Sequence, residues 1–376
     1  MSELMTNRIE HQDCRRSLLA TVSAFAVLTG ICSTRCAVAD EGSGAPTVWI
    51  ELGGQLDRVD AGEKTFIPPF FDTITANGFG SPLNVDRLAQ YSNGVEGTIS
   101  FAPSGSDWVV SASARYGRSV SQKYLHQQED ALTTVFAIGN SHQYFTAAPA
   151  YEEVRSRNSG SHLIVDFRAG KEIGVGLFGG GTHAIVSVGV RFAQFDGSRS
   201  ATIRARTDSQ IALVPIIPGV NLPFSGFHEY FASSQRSSSF KGLGPSLTWN
   251  ASTPLLGNSR DGEVSLDWGV NAAALFGRQK LKGHQISSGY VQYGRKYSRI
   301  AQIPGHSGLD DRSHSVVVPN LGAVAGLSLN YEQAKVSFGY RADFFFGATD
   351  GGLDTRKSGT VDFYGPFASV SVGIGG

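Results

Sequence analysis

Between residues 335 and 374 apolar and polar side chains alternate along two successive runs. In the first, Val336, Phe338, Tyr340, Ala342, Phe344 and Phe346 fall on every second position, with Ser337, Gly339, Arg341 and Asp343 between them. A period of two marks a strand with one apolar and one polar face. Asp350-Gly351-Gly352, rich in residues that tolerate positive φ, predicts a turn. The second run opens at Thr360 and places Tyr364, Pro366, Ala368, Val370, Val372 and Ile374 on one face. Phe363, Gly365, Phe367, Ser369, Ser371 and Gly373 occupy the other. Two strands of this length, greasy on one side and mostly small and polar on the other, suit a barrel wall between lipid and a wet lumen.

The same alternation recurs upstream and predicts strands over residues 48–57, 94–101, 108–116, 162–170, 183–206, 230–250, 264–276 and 313–331. With the final pair this makes ten strands, twelve being the alternative count. The connections alternate in length. Residues 61–91, 120–158, 207–225 and 283–311 form long connections, and the intervening ones are short. A soluble β-sandwich array has short, similar loops at both ends. Short turns on one side, long loops on the other and an even strand number belong to outer-membrane barrels. The predicted fold is therefore all-β: a transmembrane antiparallel up-and-down β-barrel whose long connections face outside and whose short ones are periplasmic.

The amino terminus agrees with export. Arg15 and Arg16 precede an apolar run over residues 18–31, and Ala37-Val38-Ala39 supplies a cleavage site before Asp40. That is the layout of a secretory signal peptide. The expected organisation is a cleaved signal over residues 1–39, a short periplasmic segment over 40–46 and the barrel over 47–376. Cys14, Cys32 and Cys36 all lie in the removed part, so no disulfide is expected. Removal takes away four arginines and three acidic residues from 32 basic and 32 acidic groups, leaving a near-neutral chain. Near-neutrality argues against nucleic acid as a partner. The 46 glycines and the 10% aromatic content fit a barrel in which only alternate residues face lipid.

Candidate chemistry follows from which residues the alternation turns inward. Glu51, Asp57, Glu96, Asp166, Asp267 and Asp343 face the lumen with Arg115, Arg168, Arg191 and Arg341. Such groups must pair or sit in water. One reading is a charged eyelet on a water path, with Glu51, Glu96, Arg115, Asp166, Arg168, Arg191, Asp267, Arg341 and Asp343 lining a pore. The other is a salt-bridge network that plugs a narrow barrel. The sequence Gly174-Val175-Gly176-Leu177-Phe178-Gly179 matches a dinucleotide fingerprint, but the residues after it alternate with period two. They cannot supply the helix N-terminus that pyrophosphate needs, so a periplasmic turn is expected there. His126, His162, His228, His284, His306 and His314 fall at strand tops or in loops, without H-E-x-x-H spacing. No cofactor, metal ligand or catalytic set is expected. The apolar stretch over residues 211–220 is expected to bury itself against neighbouring loops.

Three stretches resemble one family. They are Gly242-Leu243-Gly244-Pro245, Val188-Gly189-Val190-Arg191-Phe192-Ala193, and Gly339-Tyr340-Arg341-Ala342-Asp343 followed by Phe363-Tyr364-Gly365-Pro366-Phe367. In their order, across residues 160–374, they resemble the Legionella-type major outer membrane protein family. The resemblance implies a pore-forming barrel in a Gram-negative outer membrane, with loops available to host or other surfaces. Its expected partners are the bilayer and its lipopolysaccharide, the outer-membrane insertion machinery, and small solutes or ions. The leading expectation is a porin-like channel for passive diffusion. A surface adhesin or structural barrel with a closed lumen is the alternative, and a barrel-top hydrolase stands behind both.

Overall fold

The computed structural model describes residues 47–60, 70–71, 78–79, 90–130, 133–138, 141–146, 149, 151–173, 183–206, 210–217, 220–258, 262–293, 298–351 and 356–375. The signal peptide, the 40–46 segment and the 174–179 glycine turn lie outside them. In chain order the strands are β1 (Thr47–Asp60), β2 (Phe70–Phe71), β3 (Gly78–Phe79), β4 (Gln90–Ala102) and β5 (Trp108–Gln128). Then come β6 (Thr133–Ile138), β7 (Ser141–Thr146), β8 (Tyr151–Ile173), β9 (His183–Arg206) and β10 (Gln210–Ile217). The last five are β11 (Val220–Asn258), β12 (Gly262–Tyr293), β13 (Ser298–Tyr331), β14 (Ala334–Asp350) and β15 (Ser358–Ile374). β1, β4, β5, β8, β9, β11, β12, β13, β14 and β15 pair in that order, every neighbour antiparallel, and β15 returns to β1. The result is a closed ten-stranded antiparallel barrel. β2–β3 and β6–β7 are small separate hairpins.

Its outward face is apolar over the depth of a membrane. Val95 is 60% exposed, Phe167 63%, Val188 59% and Phe338 61%, each with apolar outward neighbours on the adjoining strands. Water would not tolerate such a belt, whereas lipid requires it. Aromatic residues frame it: Phe101, Trp108, Trp249, Trp268 and Tyr331 near the short turns, and Tyr91, Tyr116, Phe276 and Tyr364 at the other end. Trp249 and Trp268 meet edge to face with centroids 5.3 Å apart. About 11 residues per strand cross this belt, as a tilted transmembrane strand needs.

Several strands continue far beyond the belt, where two expectations are corrected. Residues 120–158 and 283–311 are largely strand rather than loop: β5 runs to Gln128, β8 begins at Tyr151, β12 reaches Tyr293 and β13 begins at Ser298. β10 pairs with the start of β11, Gln210 opposite Gly226 and Ile217 opposite Val220, while the expected burial of the 211–220 side chains lies outside what is described. The physical reason is a change of phase. Within the belt Val186, Val188, Val190 and Phe192 point outward from β9. Above it the apolar residues of the same strand are Ala201, Ile203 and Ala205, which occupy the opposite parity and are buried inside. Lipid surrounds the lower half and water the upper, so the greasy face swaps sides as the wall leaves the membrane.

Candidate functional site in the barrel lumen

The lower half of the lumen is a charged layer. Arg115 on β5 donates from Nη2 to Asp343 Oδ2 on β14, at 2.6 Å across the barrel. Arg191 on β9 grips Asp166 on β8 with two bonds, Nε to Oδ1 at 2.7 Å and Nη2 to Oδ2 at 3.0 Å. Its Nη1 also donates to Asn271 Oδ1 at 2.6 Å and to Asn320 Oδ1. Arg341 pairs with Glu96 and lies over the Phe367 ring at 5.2 Å. Nearer the turns, Lys335 meets Asp267 at 2.6 Å, and Ser252 donates to the same carboxylate. Fork-shaped guanidinium pairs of this kind fix geometry as well as charge. Around them lies a polar chamber of about 270 Å³, lined by Glu51, Arg168 and the three arginine–carboxylate pairs, and reaching down to Ser100, Val109 and Ile185 beside the turns.

Immediately above, the lumen is dry. Asp57 on β1, Ser92 on β4, His162 on β8, Phe195 on β9, Phe240 on β11, Leu275 on β12, Val318 on β13, Phe345 on β14 and Phe363 on β15 are none of them more than 5% exposed. Gly117 on β5 is also buried. Every one of the ten barrel strands thus supplies an inward residue that water does not reach. Asp57–Ser92, Gly117–His162, His162–Phe195, Phe195–Phe240 and Leu275–Val318 are direct register partners, and the rest are offset by the stagger of the closed sheet. The rings interlock: Phe195–Phe345 centroids lie 4.6 Å apart, Phe195–Phe363 5.4 Å and Phe195–Phe240 5.8 Å. Glycine makes room where the filling is tightest. A side chain at Gly117 would collide with His162 and Ser92, and one at Gly242 would place its Cβ 2.5 Å from Phe240 Cζ.

Above the dry layer a smaller cavity of about 40 Å³ is lined by Val59, Gln90, Ser119, Gly160, Arg199, Ser238 and Thr349 among others. The projecting wall is then held by a knot where β8, β9 and β11 meet. Tyr151 Oη donates to Glu229 Oε1 at 3.0 Å, Arg206 Nη2 to Glu229 Oε2 at 3.2 Å, and Arg206 lies over the Tyr151 ring at 5.2 Å. Burial and the neighbouring Glu229 carboxylate push the Tyr151 phenol above its usual range.

All nine residues predicted to line a lumen point into it, and eight of them surround one chamber; Asp267 sits lower, with Lys335. Sequence reasoning missed the layer that crosses the lumen. A signal for it was present, because Phe195, Phe240, Phe345 and Phe363 occupy lumen-facing parity. Among the described residues His162 is the histidine in the dry layer, 3.8 Å from Asp57 Oδ2. His126 and His284 are exposed on the outside of the projecting wall.

No family model matches this chain. No curated protein sequence matches it. Among solved structures it resembles the translocator domain of autotransporter NalP from Neisseria meningitidis, at 12% identity over 95% of each chain and a TM-score of 0.23. The outer membrane protease OmpT from Escherichia coli matches at 9% identity over 92% of this chain and 99% of its own, with a TM-score of 0.29. The β domain of the Bordetella autotransporter BrkA matches at 8% identity over 89% and 100%, with a TM-score of 0.22. These are likenesses to outer-membrane barrels, and they assign no activity.

Proposed function

We propose that this protein sits in the outer membrane of a Gram-negative cell as a barrel with a closed lumen, acting at the surface through its projecting wall as an adhesin or structural barrel. The observation that carries the reading is the dry layer to which all ten strands contribute. A hydrated ion crossing it would have to displace interlocked rings, Phe195 among Phe240, Phe345 and Phe363. The wall above the membrane supports the same reading. β11 is 39 residues long and β13 is 34, roughly three times what a membrane crossing needs.

A channel is the second reading, favoured by one observation, the charged chamber of about 270 Å³. For it to conduct, the dry layer must move. Two assays on one preparation separate the cases. Vesicles carrying the protein should retain a trapped small sugar, and cells displaying it should adhere to a surface that cells lacking it do not hold. Deleting residues 210–226, the hairpin tip, should abolish adhesion and leave the vesicles tight. Rapid sugar efflux with adhesion unaffected by the deletion would overturn the proposal in favour of the channel.

A further inference from the structure

The chamber below the dry layer is lined by four arginines and four carboxylates, so its charges balance. Three of each are joined in the pairs already described. Among the described residues two groups make no ion pair at contact distance, Arg168 on β8, which feels the Asp166 and Glu96 carboxylates only from farther off, and Glu51 on β1. Arg168 makes one bond, from Nη2 to Ser113 Oγ at 3.3 Å, and its Nε is buried with no acceptor. A guanidinium stays charged at any physiological pH, and its chamber-facing nitrogens hold that charge with a single long bond to a hydroxyl. Glu51 faces the same chamber from β1. The two strands stand three places apart in the sheet, about 14 Å along the wall at ordinary strand spacing. Their depths match closely: Glu51 is opposite Thr98, Thr98 opposite Ser113 and Ser113 opposite Asp166, two residues from Arg168.

We propose that the chamber is a binding site for a small zwitterion, with the ligand's carboxylate on Arg168 and its ammonium on Glu51. A lone anion or cation would bring an uncompensated charge into a chamber that is already balanced. A molecule with one of each adds no net charge and satisfies both spare groups at once. Arginine's planar fork suits a carboxylate, which can accept from its two terminal nitrogens. An amino acid carries its two charges on one carbon and a short peptide carries them at its ends, so both belong to this class. The inference concerns a pocket that is distinct from the projecting wall and holds whether or not that wall is adhesive.

Purified barrel in detergent micelles, titrated by calorimetry with glycine, triglycine, acetate and methylammonium, tests it. Glycine or triglycine should bind saturably, and which of them binds tighter identifies the amino-acid or the peptide class. Acetate and methylammonium should each bind about tenfold more weakly or worse, lacking one charge-assisted contact. Arg168→Gln and Glu51→Gln should each weaken the zwitterion about tenfold, whereas acetate should bind Glu51→Gln no more weakly than the wild type. Folding of every variant is checked by its heat-modifiable shift on gels. If a single variant fails to fold, the exchange Glu51→Arg with Arg168→Glu keeps both charges and should still bind, the ligand lying reversed. Three results would overturn the assignment: no saturable binding of either zwitterion, acetate binding as tightly as glycine, or loss of binding in a folded exchange variant.

Discussion

Replacing Phe345 by alanine probes the dry layer most directly. The ring is fully buried, edge-on to Phe195 at 4.6 Å and to Phe363 at 6.1 Å. Truncating a buried phenylalanine costs about 3–5 kcal/mol, part of it lost transfer energy and part the void left behind. The void term can be isolated with the neighbouring residue. Phe344, on the same strand, points outward and is 37% exposed on the lipid face. Lipid chains flow into the space left by Phe344→Ala, whereas the interlocked rings around Phe345 cannot close up. At about 24 cal/mol per Å³, a void of about 100 Å³ is worth about 2.4 kcal/mol. Phe345→Ala should therefore be less stable than Phe344→Ala by about 2 kcal/mol, allowing for partial relaxation. The assay is urea unfolding of the barrel in lipid vesicles, followed by its heat-modifiable band, with the slope expected to stay unchanged. Equal costs at the two positions would refute the reasoning, because they would show that Phe345 faces a fluid or a solvent rather than a solid layer.

Arg191→Ser removes the partner of Asp166 and two asparagine contacts, and should destabilise the barrel by about 3–5 kcal/mol in the same unfolding assay without opening a path. Arg168→Gln, which breaks no ion pair, should cost far less. Val270→Arg places a charge in the lipid belt and should cost about 2–4 kcal/mol near the midplane, measured against Val270→Leu. Single cysteines at Ser141 and Ser288 should label on intact cells with an impermeant maleimide while one at Ser104, in the turn between β4 and β5, should not. Labelling only at Ser104 would reverse the barrel's orientation.

The transmembrane part of this fold was legible because lipid and lumen impose opposite demands on successive residues. That contrast gave the ten strands and the inward set of charges; the register of β9 with β11, Tyr230 opposite Ala205 at its far end, is read from the structure. It fails where the contrast changes sign. In β12 Phe276 points to lipid but Leu281 points inward, with Lys280 and Lys282 outside, so a reader following one phase sees the pattern dissolve into a loop. Pair partners were also hidden. Arg115 and Asp343 are 228 residues apart, and alternation says which face a residue takes but not its height or what stands across the barrel. Nor does lumen-facing parity tell whether a position is open or filled. Ser265 is fully buried and donates to Glu263, and Asn271 accepts from Arg191. The aromatic residues on the wet face carried the clue to the dry layer. Each taken alone reads as a lapse in alternation, and only the closed register shows that four of them meet at one level.

The central claim is that the lumen is sealed by this layer, and conductance across a planar bilayer tests it. The wild-type protein, reconstituted and shown by its gel shift to be folded, should give a flat baseline. The variant carrying Phe195→Ala, Phe345→Ala and Phe363→Ala should open discrete steps, because it removes the rings that part the lower chamber from the cavity above. Steady ohmic steps from the wild type, no smaller than those of the triple variant, would contradict the account.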